Sequence, residues 1–365
     1  MDKNVKIRVG ILFGGKSAEH EVSLQSAKNV ADAIDKEKYE VSLIGIDKTG
    51  KWILPNQSQF LLNESDPKLI KLNTDNEENI ALIPESNGAI TNLTTLNNRR
   101  NIDVVFPILH GPFGEDGTVQ GLLKLAGVAF VGAGVLGSAV GMDKDVMKRL
   151  LRDAGIPIGK FLVFREEDDL DFDTIVSELG LPFFVKPANL GSSVGVNKVK
   201  DRKTFITATK EAFDYDTKIL IEEFIDGREL ECAVLGNQFP KASVVGEVTP
   251  TQEFYSYNSK YIDANGATLT IPANVSEEVS ERVRQIAIKT FKTLACEGLG
   301  RVDCFLKLDG SILVNEINTI PGFTKISMYP QLWNASGISY PELINRLIEL
   351  AAERFEREQK LKSTY

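Results

Sequence analysis

Strand-like apolar runs alternate with helix-length segments through the first third of the chain, and this alternation restricts the possible folds more than any other feature. Val5 to Phe13, Tyr39 to Ile46, Asp103 to Leu109 and Val128 to Val131 read as strands, and Ser23 to Ile34 as a helix between the first two. Strands joined through a helix lie parallel, and a parallel sheet is covered on both faces, so its strands are apolar throughout. An α/β unit is therefore expected at the N-terminus. Residues 55 to 101, rich in Asn, Ser, Thr, Asp and Glu around short apolar runs, are expected to form an irregular surface excursion.

Leu125 to Met142 carries no charge over eighteen residues, enough to raise the question of a membrane span. Gly127, Gly132, Gly134, Gly137 and Gly141 interrupt it, and each internal glycine costs a helix stability. A buried strand, a turn and a following helix are expected instead, and no span. Met142 to Ala154 reads as a helix ended by Gly155 and Pro157. Phe161 to Phe164, Pro182 to Pro187, Val194 to Val199 and Lys218 to Glu223 suggest the strands of a compact α+β unit. From about Glu229, short strands precede two helices, Glu277 to Ala295 and Pro341 to Glu356, around a hairpin in residues 299 to 320.

Charge and cysteine usage remove several classes of function. Forty-two Lys plus Arg against 51 Asp plus Glu leave a net charge of −9, with no basic segment suited to a phosphate backbone, so nucleic acid is not expected as a partner. Three cysteines without a C-x-x-C and two distant histidines support neither a disulfide framework nor a zinc finger. The uncharged run Val9 to Phe13 is too short for a signal peptide, and a cytoplasmic location is expected.

The hairpin carries the strongest chemical signal. Asp309-Gly310 between alternating apolar runs marks its turn. In a symmetric hairpin centred there, Asp303 stands opposite Glu316 and Arg301 opposite Asn318, all four on one face. Opposed carboxylates repel unless a cation lies between them or one is protonated. Two carboxylates and an amide oxygen suit a magnesium site in phosphoryl transfer, with Arg301 beside it to meet developing negative charge. The competing reading is a solvated hairpin, which its apolar strands disfavour.

Three loops add to this. Gly191-Ser192-Ser193-Val194-Gly195 follows a strand ending near Lys186, and such loops present N–H and hydroxyl donors to phosphates, although most are only turns. Gly10-Ile-Leu-Phe-Gly-Gly15-Lys16-Ser17 satisfies the G-x-x-x-x-G-K-[ST] phosphate-loop pattern. It would place Ile11, Leu12 and Phe13 in a loop, so a strand to Phe13 and a substrate-facing loop with Glu19, His20 and Glu21 is expected instead. His110 to Gly117 is a second strand-end loop, in which Glu115 and Asp116 read most simply as caps of a helix from Thr118 to Ala126.

In order, these segments resemble the D-alanine–D-alanine ligases of the ATP-grasp superfamily over nearly the whole chain. The resemblance is carried by GGKSAEHEVSLQSA (14–27), HGPFGEDGTVQG (110–121), VKPANLGSSVGVNKV (185–199), EFYSYNSKY (253–261), the run from Leu294 through GRVDCF to NEINTIPG (315–322), and GFTKISMYPQLW (322–333). Cys304 departs from the family's usual aliphatic residue, on the face turned away from the proposed metal. The implied architecture is an ATP-grasp fold preceded by a Rossmann-like domain: an N-terminal domain (1–137), a small central domain (138–225) and a C-terminal domain (226–365), with ATP between the last two.

The implied reaction is ATP-dependent condensation of two D-alanines through an acyl phosphate, giving D-alanyl-D-alanine, ADP and phosphate for peptidoglycan precursors. By resemblance, Asp303, Glu316 and Asn318 hold two Mg²⁺ ions, for which Mn²⁺ would substitute. Lys144, Lys186, Ser192, Ser193 and Lys260 meet the phosphates, and Glu222, Glu223, Ile225 and Glu229 lie near adenine and ribose. Glu19 receives the first ammonium and His110 lies near its carboxylate. Arg301 and the Gly322 N–H stabilise the tetrahedral intermediate, and Ser327 with Met328 binds the second substrate. Tyr261, in a loop from Tyr255 to Ile262, reaches Ser192 and Glu19; a neutral Tyr there resembles dipeptide formers, whereas relatives that make D-alanine–D-lactate often carry His. A homodimer is implied by resemblance alone. The rivals are a ligase for D-lactate or D-serine, a silent ATP-binding protein and a phosphate-loop NTPase using Lys16.

Overall fold

A computed structural model describes residues 6–55, 59–64, 66, 69–75, 78–95, 99–250 and 267–362. The first sheet contains β1 (Ile7–Gly14), β2 (Tyr39–Ile46), β3 (Trp52–Leu54), β6 (Glu78–Leu82), β7 (Ala89–Asn92), β8 (Arg99–Asn101), β9 (Val104–Ile108) and β10 (Ala129–Phe130), in the order β10-β9-β1-β2-β3-β6-β7-β8. The strands β4 (Leu61–Leu62) and β5 (Lys71–Leu72) pair separately. β10, β9, β1 and β2 are parallel, as helical crossovers require. On β1, Val9, Ile11 and Phe13 pack toward α1 (His20–Ala33), and Leu12 belongs to the core on the opposite face, with Val119 and Leu123 of α2 (Thr118–Leu125). The sheet is thus buried on both sides, and β1 has no polar face.

The irregular excursion expected over residues 55 to 101 is corrected. Its described part continues the sheet as antiparallel β6-β7-β8, with Ile80, Leu82 and Ile90 buried in the same core as Leu12 and Ile44. The uncharged run Leu125 to Met142 becomes β10 and α3 (Val135–Met142). Gly137 and Gly141, one turn apart, let α3 lie against the neighbouring chain: a Cβ would stand 2.6 Å from the Ala295 carbonyl oxygen and 2.8 Å from Thr319 Cγ2, respectively. No described helix is long and apolar enough to cross a membrane. The helix expected from Met142 begins two residues later, because the Asp143 carboxylate accepts from Val146 N at 3.1 Å and caps α4 (Lys144–Asp153).

The second sheet is antiparallel, β11-β14-β12-β13, from β11 (Phe161–Arg165), β12 (Phe183–Pro187), β13 (Asn197–Val199) and β14 (Lys218–Glu223). Two helices, α5 (Phe172–Leu179) and α6 (Arg202–Phe213), bury Ile175, Phe205 and Ala208 against it. The third sheet, β17-β16-β15-β18-β19, contains β15 (Gly227–Gly236), β16 (Lys241–Pro250), β17 (Ala267–Thr270), β18 (Gly298–Lys307) and β19 (Ile312–Asn318). On one face it packs α7 (Glu277–Thr293) through Val283, Ala287 and Phe291. Its other elements, α8 (Met328–Ala335) and α9 (Tyr340–Gln359), join the core of β1 and α1. The first and third sheets therefore share a continuous apolar core. Cys304 lies in the α7-facing core, turned away from Arg301 and Asp303 as expected.

Candidate active site

At the first sheet the strand tips are pinned together. Ser23 Oγ on α1 accepts from Gly14 N at 2.7 Å and donates to the Ile108 carbonyl, tying the end of β1 to the end of β9. Ile11, Leu12 and Phe13 are buried strand residues and Lys16 is exposed, so residues 10–17 do not form a phosphate loop. The buried Glu19 sits between two glycine loops: ideal Cβ positions on Gly111 and Gly191 would lie 3.5 and 3.7 Å from its Oε2. Ser192 Oγ donates to Glu19 Oε1, joining the Gly-Ser loop to the first sheet.

His110 follows β9. Its Nδ1 is 3.0 Å from the Ile320 carbonyl oxygen, while Nε2 is buried with no hydrogen-bond partner among the described residues. Burial lowers its pKa, which favours the neutral imidazole. Glu115 is a functional candidate that sequence reasoning assigned to capping. It is Asp116 that takes the turn's N–H groups, from Phe113 at 2.8 Å and Thr118 at 2.9 Å. Glu115 instead accepts from Gly111 N at 2.7 Å and from Ile320 N at 3.2 Å, clamping the β9 loop to the segment after β19. Burial, reinforced by the Glu19 charge, pushes its carboxyl up to about 8.

The hairpin places Asp303 opposite Glu316 and Arg301 opposite Asn318, as expected. Its turn differs from the symmetric one. Lys307 N donates to Ser311 O at 2.9 Å, so Leu308-Asp309-Gly310 is a three-residue loop, with Gly310 at φ +80° and Leu308 97% exposed. That loop shifts the register by one residue near the turn, and a bulge between Asp303/Cys304 and β19 shifts it back. Arg301 donates through Nε and Nη2 to the two Asp303 oxygens, each at 2.7 Å, and Asn318 Nδ2 donates to Asp303 Oδ2 at 2.9 Å. Glu316 lies 3.7 Å from Lys144 Nζ, which also donates to the Leu190 carbonyl at 2.5 Å.

Helix α4 and the second sheet together supply a lysine array, Lys144 and Lys148 from the helix and Lys186 from β12. Lys186 Nζ lies 2.6 Å from Glu222 Oε2, and Lys148 Nζ lies 3.2 Å from Glu222 Oε1. Burial opposes ionisation of Glu222, but Lys148 and Lys186 prevail and hold it below the usual carboxylate range. Lys148, only 2% exposed, was not foreseen; its signal was the i, i+4 spacing from Lys144 on α4. Glu223 accepts from Lys160 N at 2.7 Å, and Ile225 packs against Gly159, so both brace the strand entering the second sheet. Glu229 stands opposite Phe305 on β18. Ser192 and Ser193 adopt φ of 53° and 59°, consecutive left-handed conformations that non-glycine residues hold only where the surroundings enforce them.

Beyond β19, a Cβ on Gly322 would lie 3.1 Å from Ser327 Oγ, and Thr324 N donates to that hydroxyl at 3.0 Å. Met328 buries its side chain in the core beside Gly246, leaving its backbone at the start of α8. Lys260 and Tyr261 lie outside the described residues. The structure therefore brings Glu19, His110, Glu115, Ser192, Lys144, Lys186, Glu222, Arg301, Asp303, Glu316 and Asn318 to one region where the three sheets meet.

Two antiparallel sheets facing across a lysine- and carboxylate-lined site, behind a parallel α/β unit, define an ATP-grasp fold with a Rossmann-like N-terminal part. Family models described as D-ala D-ala ligase N-terminus and D-ala D-ala ligase C-terminus match residues 8–133 and 150–349. The D-alanine--D-alanine ligase of Oceanobacillus iheyensis is 57% identical over 364 residues, 99% of each chain. Among solved structures, the D-alanine-D-alanine ligase from Coxiella burnetii superposes with a TM-score of 0.85 at 40% identity, covering 97% of this chain and 96% of that one. The VanG D-Ala:D-Ser ligase from Enterococcus faecalis gives 0.84 at 33% identity, covering 95% and 100%. The chain belongs to the D-alanine–D-alanine ligase family.

Proposed function

We propose that this chain condenses two D-alanines into D-alanyl-D-alanine at the expense of ATP, releasing ADP and phosphate, as a step in making peptidoglycan precursors. The observation that carries the reading is the meeting of Glu19, Arg301, Lys144 and Lys186 in one region where the three sheets join, through Ser192–Glu19, Lys144–Glu316 and the Arg301–Asp303–Glu316 register; they would serve as an acceptor for an ammonium, a donor for an oxyanion and a cradle for phosphates. Three units are proposed, with boundaries near 137 and 225, the nucleotide lying between the second and third.

The donor set fits a hard divalent cation. Asp303 and Glu316 stand opposite one another with the Asn318 amide alongside, and Arg301 and Lys144 supply the positive charge beside them. Mg²⁺ held there, as two ions with Mn²⁺ as a substitute, would draw charge from the transferring phosphoryl group. The chain's own residues do the rest. Lys144, Lys186 and the Ser192-Ser193 loop orient the phosphates; Glu222, Glu223, Ile225 and Glu229 border the base and ribose. Glu19 takes the ammonium of the first D-alanine, and His110 lies near its carboxylate; because Nδ1–H is committed to the Ile320 carbonyl, Nε2 donates to that carboxylate only when the imidazole takes up a second proton. Arg301 and the Gly322 N–H face the tetrahedral oxyanion, and Ser327, with the Met328 backbone, receives the second substrate. Tyr261 and Lys260 are proposed to close the site against water, which would otherwise hydrolyse an acyl phosphate. A cytoplasmic homodimer is proposed from the family resemblance.

The test is phosphate release by the purified protein with ATP and Mg²⁺, with D-alanine alone or with D-lactate or D-serine added. Release that requires D-alanine and yields its dipeptide by mass spectrometry is expected. A mixed product as the main species would move the chain to the D-serine or D-lactate ligases.

A further inference from the structure

The line of carboxylates on the third sheet extends beyond the hairpin. β15 flanks β18 on the side away from β19, and Glu231 pairs with Asp303 across that ladder as Glu316 does across the other. Three acidic side chains thus stand abreast on neighbouring strands, where like charges repel. Arg301, two residues along β18, answers two of them. Its Nε lies 2.7 Å from Asp303 Oδ1 and 2.7 Å from Glu231 Oε2, and its Nη2 donates to Asp303 Oδ2. All three side chains are less than one-fifth exposed, at 18%, 13% and 15% for Arg301, Glu231 and Asp303. No role assigned above involves Glu231.

We propose that Glu231 is a positioning residue for Arg301, keeping the guanidinium in place when Asp303 turns to a divalent cation. The arginine fork engages both Asp303 oxygens, and a hard cation draws on the same lone pairs, so the two compete for one carboxylate. A guanidinium displaced without another acceptor would be left as a buried unpaired charge, which is strongly unfavourable. Glu231, as close to Nε as Asp303 is, removes that penalty and holds Arg301 on the face where the oxyanion forms. The inference rests on the reading of Asp303 as a cation ligand.

The test measures Mn²⁺ binding to the full chain with ADP and no D-alanine, by electron paramagnetic resonance of free Mn²⁺. The proteins compared are the parent, Glu231→Gln, Glu231→Asp, Arg301→Ala, Asp303→Ala and the Glu231→Gln/Arg301→Ala double variant, each checked by circular dichroism. Glu231→Gln is expected to weaken Mn²⁺ binding roughly tenfold, the scale of one charge-assisted hydrogen bond. In the Arg301→Ala background the same substitution is expected to change binding less than about twofold, since no guanidinium remains to be held. Glu231→Asp, which keeps the charge, should recover most of the loss. Unchanged binding in Glu231→Gln, or an equal loss with and without Arg301, overturns the proposal. If Asp303→Ala binds Mn²⁺ like the parent, the cation reading falls and takes the Glu231 role with it; if Asp303→Ala loses binding while Glu231→Gln does not, only the latter falls.

Discussion

Ser192 Oγ donates its hydrogen bond to Glu19 Oε1, so a residue of the Gly-Ser loop between β12 and β13 holds a carboxylate that begins α1. One bond spans 173 positions of sequence and joins the first sheet to the second, where the proposed function puts the first substrate beside the phosphates. Removing the hydroxyl leaves a buried carboxylate short of a donor, while the carboxylate proposed to take the ammonium remains. Ser192→Ala is therefore expected to lower kcat/KM for D-alanine about 10- to 100-fold, and Glu19→Gln further, by roughly 2–4 kcal/mol in transition-state binding. Initial-rate phosphate release with varied D-alanine checks both. A Ser192→Ala enzyme with parental kcat/KM would show that the bond is packing only.

Lys16 and Asp303 separate the two phosphate chemistries that the sequence allows. Lys16 is exposed beyond the end of β1, whereas Asp303 is partly buried opposite Glu316. Lys16→Ala is expected to retain activity within about threefold, because no buried group depends on it. Asp303→Ala is expected to lose on the order of 10³-fold, several kcal/mol of charge stabilisation. The opposite ranking in an ATP-turnover assay would return the phosphate-loop reading to contention.

The fate of the hairpin shows what a sequence can and cannot convey. The opposition of Asp303 and Glu316 was legible because both flank an Asp-Gly turn, yet it arises differently from a symmetric turn. Leu308 is left in the loop, and the bulge beside Cys304 restores the pairing. A bulge has no composition of its own, so the two displacements were invisible, and they cancel at the site. The short strands β6, β7 and β8 were missed for a related reason: three to five residues are too few to display a period, and the edge of an existing sheet orders them. Lys148 and Glu231 were missed because a charge on an amphipathic element reads as solvent-facing. Their burial is created by the second sheet in one case and by neighbouring strands in the other.

Arg354 tests how the last helix is fastened to the first sheet. From α9 it donates to the Phe130 carbonyl at 2.8 Å and to the Gly132 carbonyl, with its guanidinium 4.4 Å from the centre of the Phe130 ring. Arg354→Met fills much of the volume but leaves two buried acceptors without a charged donor. A loss of about 2–4 kcal/mol is expected in urea unfolding, with kcat per folded molecule unchanged. An unaltered midpoint would mean that water replaces the arginine at no cost.

Glu115 makes a prediction whose sign can be fixed. Burial, with Glu19 beside it, raises its carboxyl from 4.5 to about 8, against the pull of the Gly111 and Ile320 N–H donors. Between these values the native state holds a proton that the unfolded chain has released. The group's contribution is full below the unfolded value, near 4.5, and is lost as pH rises toward and through about 8. Glu115→Gln removes this titration while keeping the side chain's shape. In metal-free buffer, the stability of the variant relative to the parent should therefore rise between pH 5 and 8, by up to about 1.4 kcal/mol per pH unit. The mismatch of an amide against two N–H donors shifts the whole curve without changing its slope. Parallel curves for parent and variant would mean that Glu115 is ionised throughout, with its two backbone donors outweighing burial and Glu19.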